Sequence, residues 1–303
     1  MTIEQSIKDH ARNLGMDLCG IAPISRFEGA PNESHPTDFL PGCKSVISIG
    51  VRLVDGAIQA IFRNFEDGKP IAQGIYGTYG YTLAPNFHLL SSVYSLARFV
   101  EQTTGFASTP TQVGPFQTGI SISQRHAAVA AGLGEFGWLS IVLTPQFGPR
   151  NRFGAILTRA ELDPDPLYSG PALCDPTRCR VCTTVCPTGA LSTYGDKKAR
   201  RVTYRDKDGD RSFDYCHVDM TKCRIASHAL MKKTGGKEDL VTSLDASSDE
   251  VAAAISSMKD PMGGLQASPT WKCGKCLAYC PTGHWKEKFK DTNLSRHLPI
   301  VEW

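Results

Sequence analysis

The sequence predicts a mixed α/β protein in two parts. Over the first ~160 residues, apolar positions alternate between helical spacing and short buried runs, which is typical of helices packed on a sheet. Nine of the 11 cysteines fall between Cys174 and Cys280, and only Cys19 and Cys43 precede them. We therefore expect an α/β domain over residues 1–165 and a cysteine-rich domain over residues 166–303, with an insertion at about 192–266.

The expected elements follow from local patterns. Ile3, Ile7 and Ala11 recur at helical spacing, and Asn86 and Ser123 are residue types that cap helix N-termini. Continuous apolar runs bounded by turn residues predict buried strands, and Lys207-Asp208-Gly209 predicts a hairpin turn. The predicted helices are 3–14, 86–102 and 123–132, and the predicted strands are 17–22, 45–53, 138–143, 153–158, 202–205 and 211–215.

Composition narrows the classes of function. The chain has 33 Lys+Arg and 30 Asp+Glu, and a net charge of +3 is too small to predict nucleic-acid binding. No apolar run approaches the ~20 residues of a membrane span, and the first residues show neither a basic leader nor twin arginines. We expect a cytoplasmic protein that contacts no membrane, and we do not expect a nucleic-acid partner.

A short cysteine repeat in the second half of the chain indicates the kind of cofactor that it binds. Cys179-x2-Cys182-x3-Cys186-Pro-Thr-Gly returns as Cys273-x2-Cys276-x3-Cys280-Pro-Thr-Gly. This spacing is typical of ferredoxins with two [4Fe-4S] clusters, in which the cysteine before proline ligates the cluster of the other run. Two structural zinc sites are the alternative, but zinc sites do not require the cysteine-proline ending.

That exchange divides the cysteines into two sets of ligands. Cys179, Cys182 and Cys280 form one set, and Cys186, Cys273 and Cys276 form the other. Each cluster needs a fourth thiolate. Cys174 is the candidate for the first cluster, and either Cys223 or Cys216 completes the second.

Several segments resemble the corrinoid-binding domain that reductive dehalogenases and epoxyqueuosine reductases share. They are Gly20-Ile21-Ala22-Pro23, the stretch His35 to Ile47, the stretch Ser123 to Gly137, and Leu143-Thr144-Pro145 through Phe153. The resemblance implies a nitroreductase-like domain followed by a two-cluster ferredoxin-like domain, and it favours Cys223 over Cys216 as a ligand.

The resemblance also implies base-off cobalamin as a cofactor. No Asp-x-His-x-x-Gly motif, which supplies a histidine to cobalt in other corrinoid proteins, is present. Glycines let the backbone approach a flat ring closely, and Arg125 is suited to a phosphate or amide of the cofactor. The candidate cofactor contacts are Arg125, Gly132, Leu133, Gly134, Gly137, Val142 and Phe153.

The implied activity is reductive cleavage of a small organic substrate, with an external low-potential ferredoxin or flavodoxin as electron donor. Each new C–H or O–H bond needs a proton, and Tyr79, Tyr81 and His126 are the candidate sources. Epoxyqueuosine reductases carry an aspartate as proton donor where this chain has Thr118, so we expect epoxyqueuosine reduction less. The alternatives are an activator that reduces the corrinoid of a partner enzyme and a ferredoxin-flavin oxidoreductase that binds FMN.

Overall fold

A computed structural model describes residues 1–65, 74–81, 83–113, 121–207, 209–236, 238–258 and 273–283. Thr118, whose identity weighs against epoxyqueuosine reduction in the sequence, lies outside these residues. No helix in the described ranges combines the length and the apolar character that crossing a membrane requires.

The elements alternate along the first half and become short in the second. The helices are α1 (Ile3–Asn13), α2 (Pro36–Phe39), α3 (Asp55–Phe65), α4 (Leu83–Thr104), α5 (Gln124–Ala130), α6 (Val181–Thr184), α7 (Met220–Ser227), α8 (Ser248–Ser257) and α9 (Lys275–Ala278). The strands are β1 (Leu18–Pro23), β2 (Ser45–Arg52), β3 (Ser108–Pro110), β4 (Glu135–Phe136), β5 (Val142–Leu143), β6 (Asn151–Thr158), β7 (Arg200–Tyr204) and β8 (Arg211–Tyr215). Tyr76–Tyr81 forms a π-helical turn, and Ile24–Phe27 and Lys232–Thr234 form 3-10 turns.

A four-stranded sheet in the order β1-β2-β6-β3 organises the first half. All of its neighbouring strands are antiparallel, with Leu18 opposite Gly50 and Ser45 opposite Thr158. Successive side chains of a strand point to opposite faces. The apolar β2 therefore serves two cores, because helices cover both faces of the sheet.

The two faces carry different helices. On one face, Ile47 and Ile49 of β2 pack with apolar side chains of α1 and α4. On the other face, Val46 packs with the alanine-rich helix α5 and with Tyr204 and Tyr215 of the β7-β8 hairpin. The hairpin lies within the predicted insertion, so part of the insertion helps to bury the first half.

Several local predictions are confirmed and two are wrong. Ser123 caps α5 by accepting a hydrogen bond from the backbone of His126, as predicted. Helix α4 begins at Leu83 instead of Asn86, because Pro85 is accommodated in its first turn and Asn86 is buried within it. The predicted strand 138–143 is mostly a turn, in which only Val142–Leu143 pairs with Glu135–Phe136.

Candidate functional site

The structure brings thiols from distant parts of the chain close together. Cys182 interacts electrostatically with Cys174, Cys179 and Cys280, the predicted ligands of one cluster and here called the first group, and also with Cys216. Cys276 interacts with Cys186, Cys223 and Cys273, the predicted ligands of the other cluster and here called the second group, and also with Cys182. All eight are free of disulfides. The division of these thiols into two ligand sets stays a prediction.

Burial gives these thiols an unusual chemistry. It raises the pKa of Cys174 to about 12 and that of Cys223 to about 11, and neighbouring thiols raise them further. A buried thiol therefore stays protonated at neutral pH unless a cation takes the place of its proton. No group of three or more His, Cys, Asp or Glu side chains in the described ranges is arranged to hold a single metal ion.

The first half of the chain contacts the first cysteine group directly. The Trp138 backbone N–H donates to the Cys174 sulfur over 3.3 Å. The Glu135 carboxylate accepts hydrogen bonds from the backbone N–H groups of Leu173 and Cys174, the second over 3.1 Å. These bonds fix the segment that leads into the cysteine motif.

Arg150, from the loop before β6, contacts the end of the second motif. Its guanidinium is 2% exposed and donates to the backbone carbonyls of Cys280, over 2.9 Å, and Thr282. Burial lowers the pKa of Arg150 to about 10, and the nearby Cys280 opposes this shift. Arg150 is thus a buried cation beside a predicted cluster ligand, and no local sequence pattern indicates its burial.

Cys216 differs from the eight grouped thiols. It is buried, its backbone N–H donates to the Trp138 carbonyl over 2.9 Å, and its thiol interacts with Cys186. Cys223 instead interacts with Cys273 and Cys186 of the second group. Cys216 lines a cavity that the grouped thiols do not line.

This cavity has a volume of about 430 Å³ and three walls. One wall is the stretch 26–34, a second is Ser121 to His126, and the third is the insertion, from the β7-β8 hairpin to Met220. Among the candidate site residues only Arg125 and His126 line it. Its size suits a drug-sized molecule.

His126 is held by polar contacts on both ring nitrogens. Nδ1 lies 2.8 Å from the Ser123 hydroxyl, and Nε2 lies 3.4 Å from the Tyr215 hydroxyl. Burial and the adjacent Arg125 guanidinium lower the pKa of His126 to about 4. The imidazole is therefore neutral at neutral pH and carries no spare proton for a substrate, although it can connect the two hydroxyls.

Arg26, which is buried, and Arg125, which is exposed, make the cavity cationic. Arg125 donates to the hydroxyl of Ser140 over 2.7 Å and has no ion-pair partner among the described residues. Arg26 pairs with Asp206 of the insertion over 2.9 Å, but its buried Nε has no hydrogen-bond partner in the described part of the chain. Sequence reasoning missed Arg26, because a lone arginine after a strand gives no signal of burial.

The other candidate cofactor contacts lie away from the cavity. A Cβ on Gly132 would collide with the Pro166 carbonyl, and one on Gly134 with the Leu143 carbonyl. Gly137 faces the Leu139 and Leu143 side chains in the same way. These glycines allow backbone and side chains to pack closely, which is a different reason from the predicted approach of a flat ring. Leu133, Val142 and Phe153 pack in the core around α5.

The two candidate tyrosines also lie elsewhere. Tyr79 is 56% exposed. Tyr81 stacks under the Arg152 guanidinium, whose central carbon is 4.2 Å from the ring centre. Neither lines the cavity, so the structure does not bring the three candidate proton sources together. Their catalytic role stays a prediction.

The comparisons with known proteins agree with a mixed α/β fold and with an oxidoreductase. No profile of a known protein family matches the chain. The tetrachloroethene reductive dehalogenase of Desulfitobacterium hafniense is 33% identical over 108 residues, which is 35% of this chain and 19% of that protein. The epoxyqueuosine reductase of Gloeobacter violaceus is 29% identical over 214 residues, 61% of this chain and 60% of that protein.

The comparison of folds agrees with the comparison of sequences. The structure of a catabolic reductive dehalogenase superposes with a TM-score of 0.54 and 18% identity, and the match covers 84% of this chain and 34% of that one. The sequence is similar to those of reductive dehalogenases and epoxyqueuosine reductases, and the fold is similar to that of a reductive dehalogenase, as the resemblance predicts. The chain spans less than two thirds of the length of the two curated relatives. These relatives are reductases, which agrees with the prediction of an oxidoreductase.

The comparisons do not favour one branch of the superfamily. Dehalogenases and epoxyqueuosine reductases both match, so the preference against epoxyqueuosine reduction gains no support from them. The prediction against a nucleic-acid partner stays a prediction.

Proposed function

We propose that this protein is a cobalamin-dependent iron-sulfur reductase that cleaves a bond of an organic substrate reductively. The observation that carries the proposal is the combination, in one chain, of two predicted groups of four disulfide-free thiols with a cavity lined by Arg26 and Arg125. An external low-potential ferredoxin or flavodoxin is the proposed electron donor.

The cysteine groups fit two [4Fe-4S] clusters. The first would be held by Cys174, Cys179, Cys182 and Cys280, and the second by Cys186, Cys223, Cys273 and Cys276. Four iron and four sulfide atoms separate the thiolates of such a cluster, whereas a zinc ion binds all its sulfurs at about 2.3 Å. The lack of a compact single-ion site in the described ranges therefore favours clusters over zinc. When bound, the clusters accept and pass on single electrons.

The cavity fits the phosphate-bearing part of cobalamin. Arg26 is a buried cation and Arg125 an exposed one, and the unpartnered Nε of Arg26 lacks an acceptor that an anion or amide oxygen would supply. The described residues enclose about 430 Å³, which is less than the whole cofactor occupies. When bound, cobalamin supplies a low-potential cobalt centre for reductive cleavage.

The residues around His126 would exclude water and move protons. The aromatic rings of Phe136 and Tyr215 cover the imidazole, with ring centres 4.9 Å and 6.1 Å from it. The neutral ring can accept a proton at one nitrogen as it releases one from the other, which would relay a proton between the hydroxyls of Tyr215 and Ser123.

Epoxyqueuosine reduction is the second candidate function. It is supported by the epoxyqueuosine reductases of Gloeobacter violaceus and Bacillus cereus, which match 61% and 73% of this chain. An activator protein without a substrate of its own is the remaining alternative. It accounts less well for a cavity lined by His126, Arg125 and Tyr215.

The test is anaerobic reconstitution with iron, sulfide and hydroxocobalamin. We expect eight irons and one cobalt per chain, with a base-off Co(II) signal in electron paramagnetic resonance (EPR) spectra. Eight irons without retained cobalt would overturn the proposal in favour of an electron-transfer protein. A loaded protein is then assayed with a halogenated phenol and with an epoxyqueuosine-modified tRNA stem loop, and turnover of one substrate assigns the branch.

A further inference from the structure

Tyr76 carries a buried hydroxyl that the structure leaves without a partner. Its side chain is 0% exposed, and its oxygen has no hydrogen-bond partner in the described part of the chain. A buried hydroxyl without a partner is costly and rare in proteins. The rest of the ring is firmly packed, since Gly80 lies against it and Ile58 and Leu277 share its apolar cluster.

The hydroxyl points at the loop between two cysteines of the second group. Its oxygen occupies the space that a Cβ on Gly274 would fill, and Gly274 follows Cys273 directly. Electrostatic interactions connect Tyr76 with Cys273 and Cys276, and burial raises its pKa well above the usual value, so the hydroxyl keeps its proton. A proton donor thus stands beside two predicted ligands of one cluster.

The two copies of the cysteine repeat differ at this point. The first copy reads Cys179-Arg180-Val181-Cys182, whereas the second reads Cys273-Gly274-Lys275-Cys276. Any side chain at position 274 would displace the Tyr76 hydroxyl. The glycine therefore makes room for the hydroxyl, and this arrangement belongs to the second group alone.

We infer that Tyr76 donates a hydrogen bond to a sulfur of the cluster held by the second cysteine group and raises its reduction potential. The inference rests on the proposed function, because it requires that cluster. Reduction adds a negative charge to the cluster, and a hydrogen bond to sulfur stabilises the more negative state. Tyr76 would then act as a positioning and tuning residue, distinct from the residues around His126.

The test is an EPR-monitored redox titration of the anaerobic, fully loaded protein and its Tyr76→Phe variant. Phenylalanine removes only the hydroxyl, so the packing is kept. We expect one of the two cluster potentials to fall, corresponding to about a tenfold change in the ratio of reduced to oxidised cluster, or about 59 mV for one electron. The other cluster potential serves as an internal reference, and Tyr94→Phe, which alters a tyrosine that is 58% exposed, should change neither.

Two unchanged potentials in a Tyr76→Phe variant that retains eight irons would overturn the inference and leave the proposed function intact. A wild-type protein that holds only four irons would overturn both. If Tyr76→Phe loses a cluster, 3-fluorotyrosine at position 76 keeps the ring and makes the donor more acidic. It should raise the same potential, and no shift would count against the inference. Cobalt content is measured in parallel, so that failure of corrinoid binding is distinguished from failure of the hydrogen bond.

Discussion

Replacing Arg150 by methionine tests how strongly the first half of the chain holds the cysteine-rich half. Methionine keeps an unbranched, apolar stem and removes the guanidinium. The carbonyls of Cys280 and Thr282 then lose their donor inside the protein. The change also removes the positive charge beside the Cys280 thiol.

The expected loss in the free energy of unfolding follows from the hydrogen bonds of Arg150. A bond to a charged donor contributes about 1.5–3 kcal/mol, so the two bonds together contribute about 3–6 kcal/mol. Relief from burying a charge offsets part of this, and we expect a net loss of about 2–4 kcal/mol. For a chain of this size that corresponds to a fall in Tm of roughly 3–6 °C.

The assay is thermal unfolding of the anaerobic protein, together with the rate at which iron is released to a chelator. Arg159→Met is the matched control, because Arg159 also donates to a backbone carbonyl, that of Pro41 over 2.7 Å, but lies exposed at the surface. The control should stay within about 0.5 kcal/mol of the wild type. Equal melting temperatures and iron-release rates for both variants would refute the reasoning.

Three further outcomes are expected. Cys223→Ser should lower bound iron from eight to about four per chain, whereas Cys216→Ser should leave it unchanged; the reverse result would exchange their roles. His126 binds its proton more weakly in the folded protein than in the unfolded chain. Its contribution to the free energy of unfolding is therefore present above pH ~6.5 and is lost as the pH falls towards ~4. Between pH 7.5 and pH 5 the wild type should therefore lose about 2 kcal/mol more than His126→Gln in chemical denaturation, and equal losses would contradict the low pKa. Asp206→Asn should destabilise the protein by about 2–4 kcal/mol because it leaves its buried arginine partner without a counter-charge, while Asp210→Asn, exposed on the same hairpin, should unfold like the wild type.

Local chemistry made much of the fold predictable. The apolar run at Ser45–Arg52, the cap at Ser123 and the turn of the β7-β8 hairpin depend on neighbours in sequence, and the structure agrees with them. The repeated spacing also predicts which thiols share a cluster, and that division stays a prediction. The identity of the fourth ligand of each cluster was harder, since no spacing rule fixes it.

Features that depend on distant contacts could not be predicted. The backbone of Trp138 bonds to Cys174 and Cys216 instead of a neighbouring strand, so an apolar run became a turn. Position 134 requires glycine because a Cβ there would collide with the Leu143 carbonyl. Local sequence does not reveal this contact. The burial of Arg150 likewise depends on residues more than 120 positions away.

Because Glu135, Trp138 and Arg150 form hydrogen bonds with the cysteine-rich half, that half is not an independent structural unit. Excised alone, the segment from residue 166 onward would leave its Cys174 amide, the Cys174 sulfur and the Cys280 carbonyl without the groups that now satisfy them. A fusion of this half to another reductase would therefore also have to include the short β4-β5 hairpin and the loop before β6. The segment that must be transferred is longer than the cysteine motifs alone.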